Sequence, residues 1–561
     1  MKKIIIIGGL SAGPSAAAKA RREDETAEII LFEKGPNISY ATCGMPYAFS
    51  GVIENRENLI VIESDLMKNR FNIDVKLNEE ILNVDTTHKI VFSNKGDYSY
   101  DKLIFATGAK SVVPPIKNIN IATNWSTCRS MFDFDKIMKE GLASTCKNIT
   151  VIGGGLIGVE VAENLQNAGK QVTLIEGANQ ILAMWQPKFG AIAEKIVLEN
   201  GVKVITSGLV NEFKLGENGK IHQVIIGGTK AIETDFVILS VGIKPNTDLL
   251  IQQGAKHIEN GALIVNEKME TSIKDVYAAG DNVAIKNLQT NEYGYFPLGT
   301  HSNKAGRAAG ANAVGRETIF KGAYHTAIVQ VFNYTFARTG LNPTYLKEHN
   351  IDFKTVLSIV GATPGYYPNQ KEIISEIYFD AKTEEIYGAE LVGEVGVDKR
   401  IDVLSTAIYA KLKISDLAQL DLAYAPPYSP AKDSVVVSSF ISENIITEKC
   451  PQISVEDLAV FIEEIPAENY LLIDTRTNEE YEAGTLPNAI NIPIDEIRNH
   501  IDFIKNEDKP VILFCRSGLR AYISQLILVH NNITEVTNLG GGIKLWQLCN
   551  KPITKPKEMF V

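Results

Sequence analysis

The sequence predicts an α/β protein of several domains. Three observations predict it: two βαβ units with the same glycine-rich turn, a later stretch of alternating apolar segments, and a final stretch patterned as an independent α/β unit. At 561 residues, with 45% hydrophobic and 22% charged residues, the chain has room for about three or four ordinary cores.

The first βαβ unit reads as a strand over Ile4 to Ile7, a turn Gly8-Gly9-Leu10-Ser11-Ala12-Gly13, an Ala-rich helix to about Arg22, and a strand from Ile29 to Phe32 that ends at Glu33. The second reads as a strand over Ile149 to Ile152, a turn Gly153-Gly154-Gly155-Leu156-Ile157-Gly158, a helix through Leu165, and a strand from Val172 to Ile175 that ends at Glu176. An acidic residue stands 20 (Glu33) or 18 (Glu176) positions beyond the last glycine. Glycine lets the backbone approach a pyrophosphate at a helix N-terminus, and the carboxylate accepts hydrogen bonds from ribose hydroxyls. The first turn departs from the pattern, with Leu10 at its second glycine position. Around Glu176 the chain reads Ile-Glu-Gly-Ala-Asn-Gln, with no Arg or Lys to meet a 2′-phosphate, which favours NADH over NADPH at the second site.

Alternating apolar segments such as Ile328 to Phe332 and Ile373 to Phe379 follow, and from Ser442 to Ile453 the chain turns polar around Pro451. The remainder is long enough to fold by itself. A net charge of -11 disfavours nucleic-acid binding, which needs a basic face. The four isoleucines before Gly8 are too few for a signal peptide, and no apolar run of about 18 residues exists, so no membrane role is expected. Six scattered cysteines without a CxxC pair indicate neither a disulfide framework nor a zinc site, and the cytoplasm is the expected compartment.

Two further segments, Leu103-Ile104-Phe105-Ala106-Thr107-Gly108 and Asp275-Val276-Tyr277-Ala278-Ala279-Gly280-Asp281, resemble the flavin-binding signatures of the pyridine nucleotide-disulfide oxidoreductase family. The resemblance runs from residue 1 to about 445 and includes Val241-Gly242-Ile243-Lys244-Pro245-Asn246. It implies FAD at the first turn, with Glu33, Lys34, Thr107, Gly108, Gly280 and Asp281 as contacts and Asp281 on the ribityl chain. It also implies a dimerisation domain and a homodimer. The expected spans are 1–112 and 251–323 for a Rossmann-like FAD domain in two parts, 113–250 for a Rossmann-like NAD domain, 324–445 for an α+β dimerisation domain, 446–453 for a linker, and 454–561 for the last domain.

Cys43 lies ten residues beyond Glu33, in Ser39-Tyr40-Ala41-Thr42-Cys43-Gly44-Met45-Pro46-Tyr47, and the next cysteine is Cys128. Without a neighbour in its own chain, Cys43 must find a sulfur partner in a bound thiol or persist as a sulfenic acid. This segment resembles the CoA-disulfide reductase branch of the family, in which a single cysteine forms a mixed disulfide with coenzyme A. Ser39 and Cys43 match that branch, while Thr42 replaces an Asn. Ser15, Lys19 and Arg22 stand at i, i+4 and i+7, one face of a helix. The resemblance makes that face a CoA contact, whereas spacing alone favours a solvated stripe. Asn303, Lys304 and Arg307 are a further CoA suggestion. By the same resemblance Tyr366 and Tyr424, with Tyr367 and Tyr428 as substitutes, are hydroxyl donors to the reactive cysteine of the other subunit, and Lys432 pairs a CoA phosphate.

Val511-Ile512-Leu513-Phe514-Cys515-Arg516-Ser517-Gly518-Leu519-Arg520 is an apolar strand ending on a cysteine, with spacing C-x4-R, and resembles the rhodanese loop. Such a loop aims backbone N–H groups at the sulfur, and Arg516 and Arg520 add positive charge, so the thiolate is favoured. Phosphatase loops of related shape use C-x5-R. Asp474 and Arg476 read as fold-holding, and Thr485 stands where a His is usual. Together these readings lead us to expect an enzyme that passes electrons from NADH through FAD to a Cys43–S–S–CoA mixed disulfide. Cys515 then carries sulfane sulfur, and CoA persulfide, CoA disulfide or polysulfide is the substrate. An NADH oxidase or peroxidase with a Cys43 sulfenic acid, and a redox-sensing or sulfur-carrier protein, are the other two readings.

Overall fold

A computed structural model describes residues 2–447 and 450–556. The chain divides into two compact units, Met1–Asn179 with Gly201–His325, and Gln180–Asn200 with Thr326–Val561.

The first unit holds two five-stranded parallel sheets. One is ordered Val276–Ala278, Lys102–Phe105, Lys3–Ile7, Glu28–Phe32, Asp74–Lys76. Its central strand is a continuous apolar run with Ile4, Ile5 and Ile6 fully buried, the pattern of a parallel strand covered on both faces. The other is ordered Lys203–Ile205, Gln171–Ile175, Asn148–Ile152, Phe236–Leu239, Trp125–Thr127. An antiparallel ribbon of Ala109–Ser111 with Ile243–Pro245 runs between the two halves. In the first half, helix Ala12–Glu23 lies against helix Gly299–Val314 at backbone contact. A Cβ on Gly306 or Gly310 would come within 2.3 or 2.1 Å of the carbonyl oxygens of Ala12 and Ala16. Only glycine allows that approach.

The second unit contains a five-stranded antiparallel sheet ordered Ala327–Val331, Tyr334–Gly340, Ile386–Gly393, Glu372–Phe379, Lys354–Gly361. Helices Val397–Ala410 and Ser434–Ile446 pack on it. A parallel sheet follows, ordered Gln452–Ile453, Val536–Leu539, Val511–Phe514, Leu471–Asp474, Ile490–Asn491. The segment expected as linker, 446–453, is used differently. Ile446 ends a helix, 448–449 lie outside the described residues, and Gln452–Ile453 form the edge strand of the last sheet. A two-residue strand owes its existence to its partner, which a local pattern does not reveal. Helix Pro187–Glu199, expected within the 113–250 domain, belongs to the second unit, where buried Lys188 pairs with Glu376 at 2.5 Å. Among the described residues, no helix is long and apolar enough to cross a membrane.

Candidate active sites

The two glycine turns have the same geometry. Gly8 and Gly153 sit at φ +109° and +108°, and a Cβ on either would strike a neighbouring carbonyl oxygen, that of Ala106 at 2.1 Å or of Ser240 at 2.4 Å. Gly13 and Gly158 repeat the match, each with a Cβ position 1.8 Å from the first glycine's oxygen. Glu33 accepts hydrogen bonds from the N–H of Gly9 at 2.9 Å and of Gly35 at 2.8 Å. Glu176 does the same with Gly154 at 2.5 Å and Ala178 at 2.7 Å. Each carboxylate thus braces its own turn. Gly155 has open space around its Cβ position, and Leu156 and Ile157 begin the helix beyond it.

A cleft of about 790 Å³ opens over the first turn, lined by Gly8, Gly9, Leu10, Glu33, Lys34, Thr107 and Gly108, among others. Ser11 caps helix Ala12–Glu23 without a side-chain hydrogen bond, so the first N–H groups of that helix stay available for a phosphate. Asp281 accepts from Arg129 at 2.9 Å and from the Ser302 hydroxyl at 3.0 Å, and its own carbonyl accepts from the Tyr295 hydroxyl at 2.8 Å. Gly280, at φ +100°, brings that segment to Ala12. The glycine cradle, the free helix N-terminus and the size of the cleft fit FAD. Sequence reasoning missed Arg129, Tyr40 and Asn246 as cleft residues. Arg129 lies 152 positions from the aspartate it pairs with, in a segment without a motif.

Cys43 is exposed on a tight turn, Thr42–Gly44, that leads into helix Met45–Phe49. Ser39, at φ +48°, donates its N–H to the Gly9 carbonyl at 2.8 Å and so ties the cysteine segment to the first glycine turn. Tyr47 donates to Glu160 at 3.0 Å, and burial pushes the Glu160 carboxyl up to about 7. The suggested CoA residues of the two helices come together, with the Ser15 hydroxyl donating to Asn303 at 2.8 Å. Arg22, Asn303, Lys304 and Arg307 are exposed there, and Lys19 pairs with Glu23.

In the second unit the hydroxyls of Tyr366 and Tyr424 are 3.2 Å apart, with 73% and 51% of each residue exposed. The loops carrying them are held by buried Arg400, which donates to the Ala362 carbonyl at 3.2 Å and pairs with Asp433 at 2.9 Å. Lys432, beside Asp433, is exposed.

Cys515 ends the strand Val511–Phe514 and is buried, its sulfur accepting from the Gly518 N–H at 3.1 Å. Arg520 reaches toward this sulfur and is fixed by Glu480 at 2.5 and 2.8 Å. Arg516 is bidentate on Glu372 at 2.8 and 3.1 Å. The structure thus commits both arginines that the sequence set beside the thiolate to carboxylates, Arg520 to Glu480 of the same domain and Arg516 to Glu372 of the antiparallel sheet. Asp474 and Arg476 form a buried pair at 2.6 Å, and Thr485 donates to Asp474 at 2.9 Å, so that its hydroxyl hydrogen-bonds the carboxylate of that pair.

Comparison with known proteins identifies the domains. Residues 2–299 match the pyridine nucleotide-disulphide oxidoreductase family, 326–435 its dimerisation domain, and 457–549 the rhodanese-like domain. An NAD(P)H coenzyme A polysulfide/persulfide reductase of Pyrococcus horikoshii is 32% identical over 446 residues, 78% of this chain and 97% of that protein. The crystal structure of reduced Bacillus anthracis CoADR-RHD superposes with TM-score 0.93 at 34% identity, covering 98% of each chain. An NAD-dependent persulfide reductase from A. fulgidus superposes with TM-score 0.90 at 35% identity, over 97% of this chain and 100% of that one. The chain belongs to the pyridine nucleotide-disulphide oxidoreductase family and carries a rhodanese-like domain at its C-terminal end.

Proposed function

We propose that this protein is an NADH-dependent reductase of CoA-linked persulfide, polysulfide or disulfide, acting through Cys43 and coupled to sulfane-sulfur transfer by Cys515. The observation that carries the reading is Cys43 itself, an exposed free thiol whose nearest cysteine in sequence, Cys128, is buried. Such a thiol turns over by bonding to the sulfur of a small molecule.

Gly8, Gly9, Leu10, Ser11, Ala12 and Gly13 would hold the FAD pyrophosphate, Glu33 and Lys34 the ribose end, and Thr107, Gly108, Gly280 and Asp281 the remainder. Gly153, Gly155, Leu156, Ile157, Gly158 and Glu176 would hold NADH. Bound FAD supplies the electron pair it takes from NADH. The Cys43 thiolate attacks the CoA-linked sulfur of CoA–S–SH, the S–S bond breaks, and hydrosulfide leaves. Cys43–S–S–CoA remains, and two electrons and one proton return Cys43 to its thiolate and release CoA–SH. In sum, CoA–S–SH, NADH and a proton give CoA–SH, hydrogen sulfide and NAD⁺. Tyr366 and Tyr424 of one subunit protonate the CoA thiolate that leaves Cys43 of the other. The cations Lys19, Arg22, Lys304, Arg307 and Lys432, with Ser15, Ser39, Thr42 and Asn303, bind CoA, whose phosphates they complement.

At Cys515 the thiolate attacks the outer sulfur of a donor, the donor's S–S bond breaks and its thiolate leaves, and Cys515–S–S⁻ forms without net redox change. Tethering keeps this persulfide at high local concentration around the reductase. A homodimer, supported by the dimerisation-domain match, and a cytoplasmic location, supported by the six free cysteines, belong to the same reading.

Stopped-flow reoxidation of the reduced flavin by CoA persulfide tests the reading. Rapid reoxidation in the wild type and its loss in Cys43→Ser are expected, and equal rates would overturn it. Mass measurement of CoA released from the denatured protein on reduction separates this reading from a sulfenic-acid oxidase, which would release none.

A further inference from the structure

The rhodanese-like domain is seated on one hairpin of the antiparallel sheet, the one whose loop carries Tyr366. The Gln452 side chain bonds both the N–H and the carbonyl of Leu357 on strand Lys354–Gly361, at 3.2 and 3.3 Å. Gly541, at φ +75°, stands where a Cβ would be 2.8 Å from the Leu357 side chain. Glu372, opposite Gly361 at the start of the next strand, binds Arg516 with both oxygens and also binds Lys544. The backbone closes the same knot, because the Lys544 N–H donates to the Arg516 carbonyl at 3.1 Å and the Ile543 N–H to the Cys515 carbonyl at 2.9 Å.

One carboxylate from another domain therefore neutralises two cations at the mouth of the Cys515 loop. The charged groups around that loop are Arg520 with Glu480, Arg516 and Lys544 with Glu372, and the buried Asp474–Arg476 pair behind Glu480. Burial pushes the Glu372 carboxyl up, and its bonds to Arg516 and Lys544 more than cancel that, so it is held below the usual range and stays ionised.

We propose that Glu372 is a positioning residue for sulfur transfer: by holding Arg516 and Lys544, as Glu480 holds Arg520, it leaves the loop N–H groups as the main anion stabilisers at Cys515, so that the thiolate stays nucleophilic enough to attack the donor's outer sulfur. A sulfur anion stabilised by every available cation is a weaker nucleophile, since nucleophilicity falls with basicity. This deepens the sulfur-carrier part of the function proposed above and rests on it.

The pH dependence of Cys515 alkylation by iodoacetamide, read by peptide mass spectrometry in the full-length protein, tests the proposal. Glu372→Gln removes a negative charge and frees Arg516, and is expected to lower the midpoint by about half a pH unit or more. Glu372→Asp keeps the charge and the wild-type midpoint. Combining Glu372→Gln with Arg516→Gln is expected to cancel most of the shift. A midpoint unmoved in Glu372→Gln, or moved equally in the double variant, overturns the proposal. Failure of wild-type Cys515 to take up sulfane sulfur from polysulfide would overturn the functional reading instead, and the alkylation midpoints would still decide the role of Glu372.

Discussion

The Tyr366 and Tyr424 hydroxyls share one hydrogen bond, 3.2 Å long, although they stand on loops 58 residues apart in sequence. That bond raises the Tyr366 phenol above its ordinary range, because the hydrogen bond with the Tyr424 hydroxyl favours the protonated form of Tyr366. Two hydroxyls in this relation can pass a proton between them and present one to a leaving thiolate.

Tyr366→Phe and Tyr424→Phe are each expected to lower kcat for CoA persulfide about tenfold, and the double variant about 10²-fold or less, since the pair acts as a unit. Steady-state rates of the four proteins check this. Full activity in the double variant would remove the pair from the chemistry.

Arg400→Met is expected to destabilise the second unit by about 3 kcal/mol, because Asp433, 3% exposed, would lose its close partner and keep only Lys399, 3.7 Å away. Asp433 also caps helix Ser434–Ile446 through the Val435 N–H. Urea unfolding followed by tryptophan fluorescence measures the loss.

The second glycine turn predicts donor preference. Glu176 is followed by Gly177-Ala178-Asn179-Gln180, with no Arg or Lys in that segment to meet a 2′-phosphate, so wild-type kcat/KM should favour NADH. Glu176→Ser combined with Ala178→Arg is expected to raise the NADPH to NADH ratio of kcat/KM by about tenfold or more. An unchanged ratio would mean that the turn does not read the ribose.

Glu160 supplies a pH prediction. Its folded value, raised by burial to about 7, lies above the unfolded value of about 4.3, so the folded state retains the proton longer. Its contribution to stability is fully present below about pH 4.3 and is lost as pH rises toward about 7. A protonated-carboxyl infrared band titrating near 7 should be present in the wild type and missing in Glu160→Gln. A band titrating near 4 would contradict it.

The features legible in the sequence are those written in a short window. Both glycine turns, Cys43 and the C-x4-R loop are local patterns, because backbone approach to a phosphate or a sulfur is a matter of a few consecutive residues. Features that depend on tertiary return were not legible. Arg129 meets Asp281 across 152 residues, and Arg516 meets Glu372 across 144. A cation adjacent to a cysteine in sequence reads as its electrostatic partner. Yet at Arg516 a carboxylate that folds back onto the loop takes the guanidinium. The strand Gln452–Ile453 was hidden for the same reason, since two residues carry no period of their own.

The glycine-mediated contact between helices Ala12–Glu23 and Gly299–Val314 has a consequence for how the protein is made. The Ser15 and Asn303 faces lie 288 positions apart and become one surface only when the later helix docks. A nascent chain that has passed Glu23 but not yet extended beyond Val314 therefore has half a plate of cations and nothing to complete it. The share of coenzyme A affinity proposed for these two helices should appear only once that second helix is translated, and an alanine at Gly306 or Gly310 would delay or prevent it while leaving every charged residue in place.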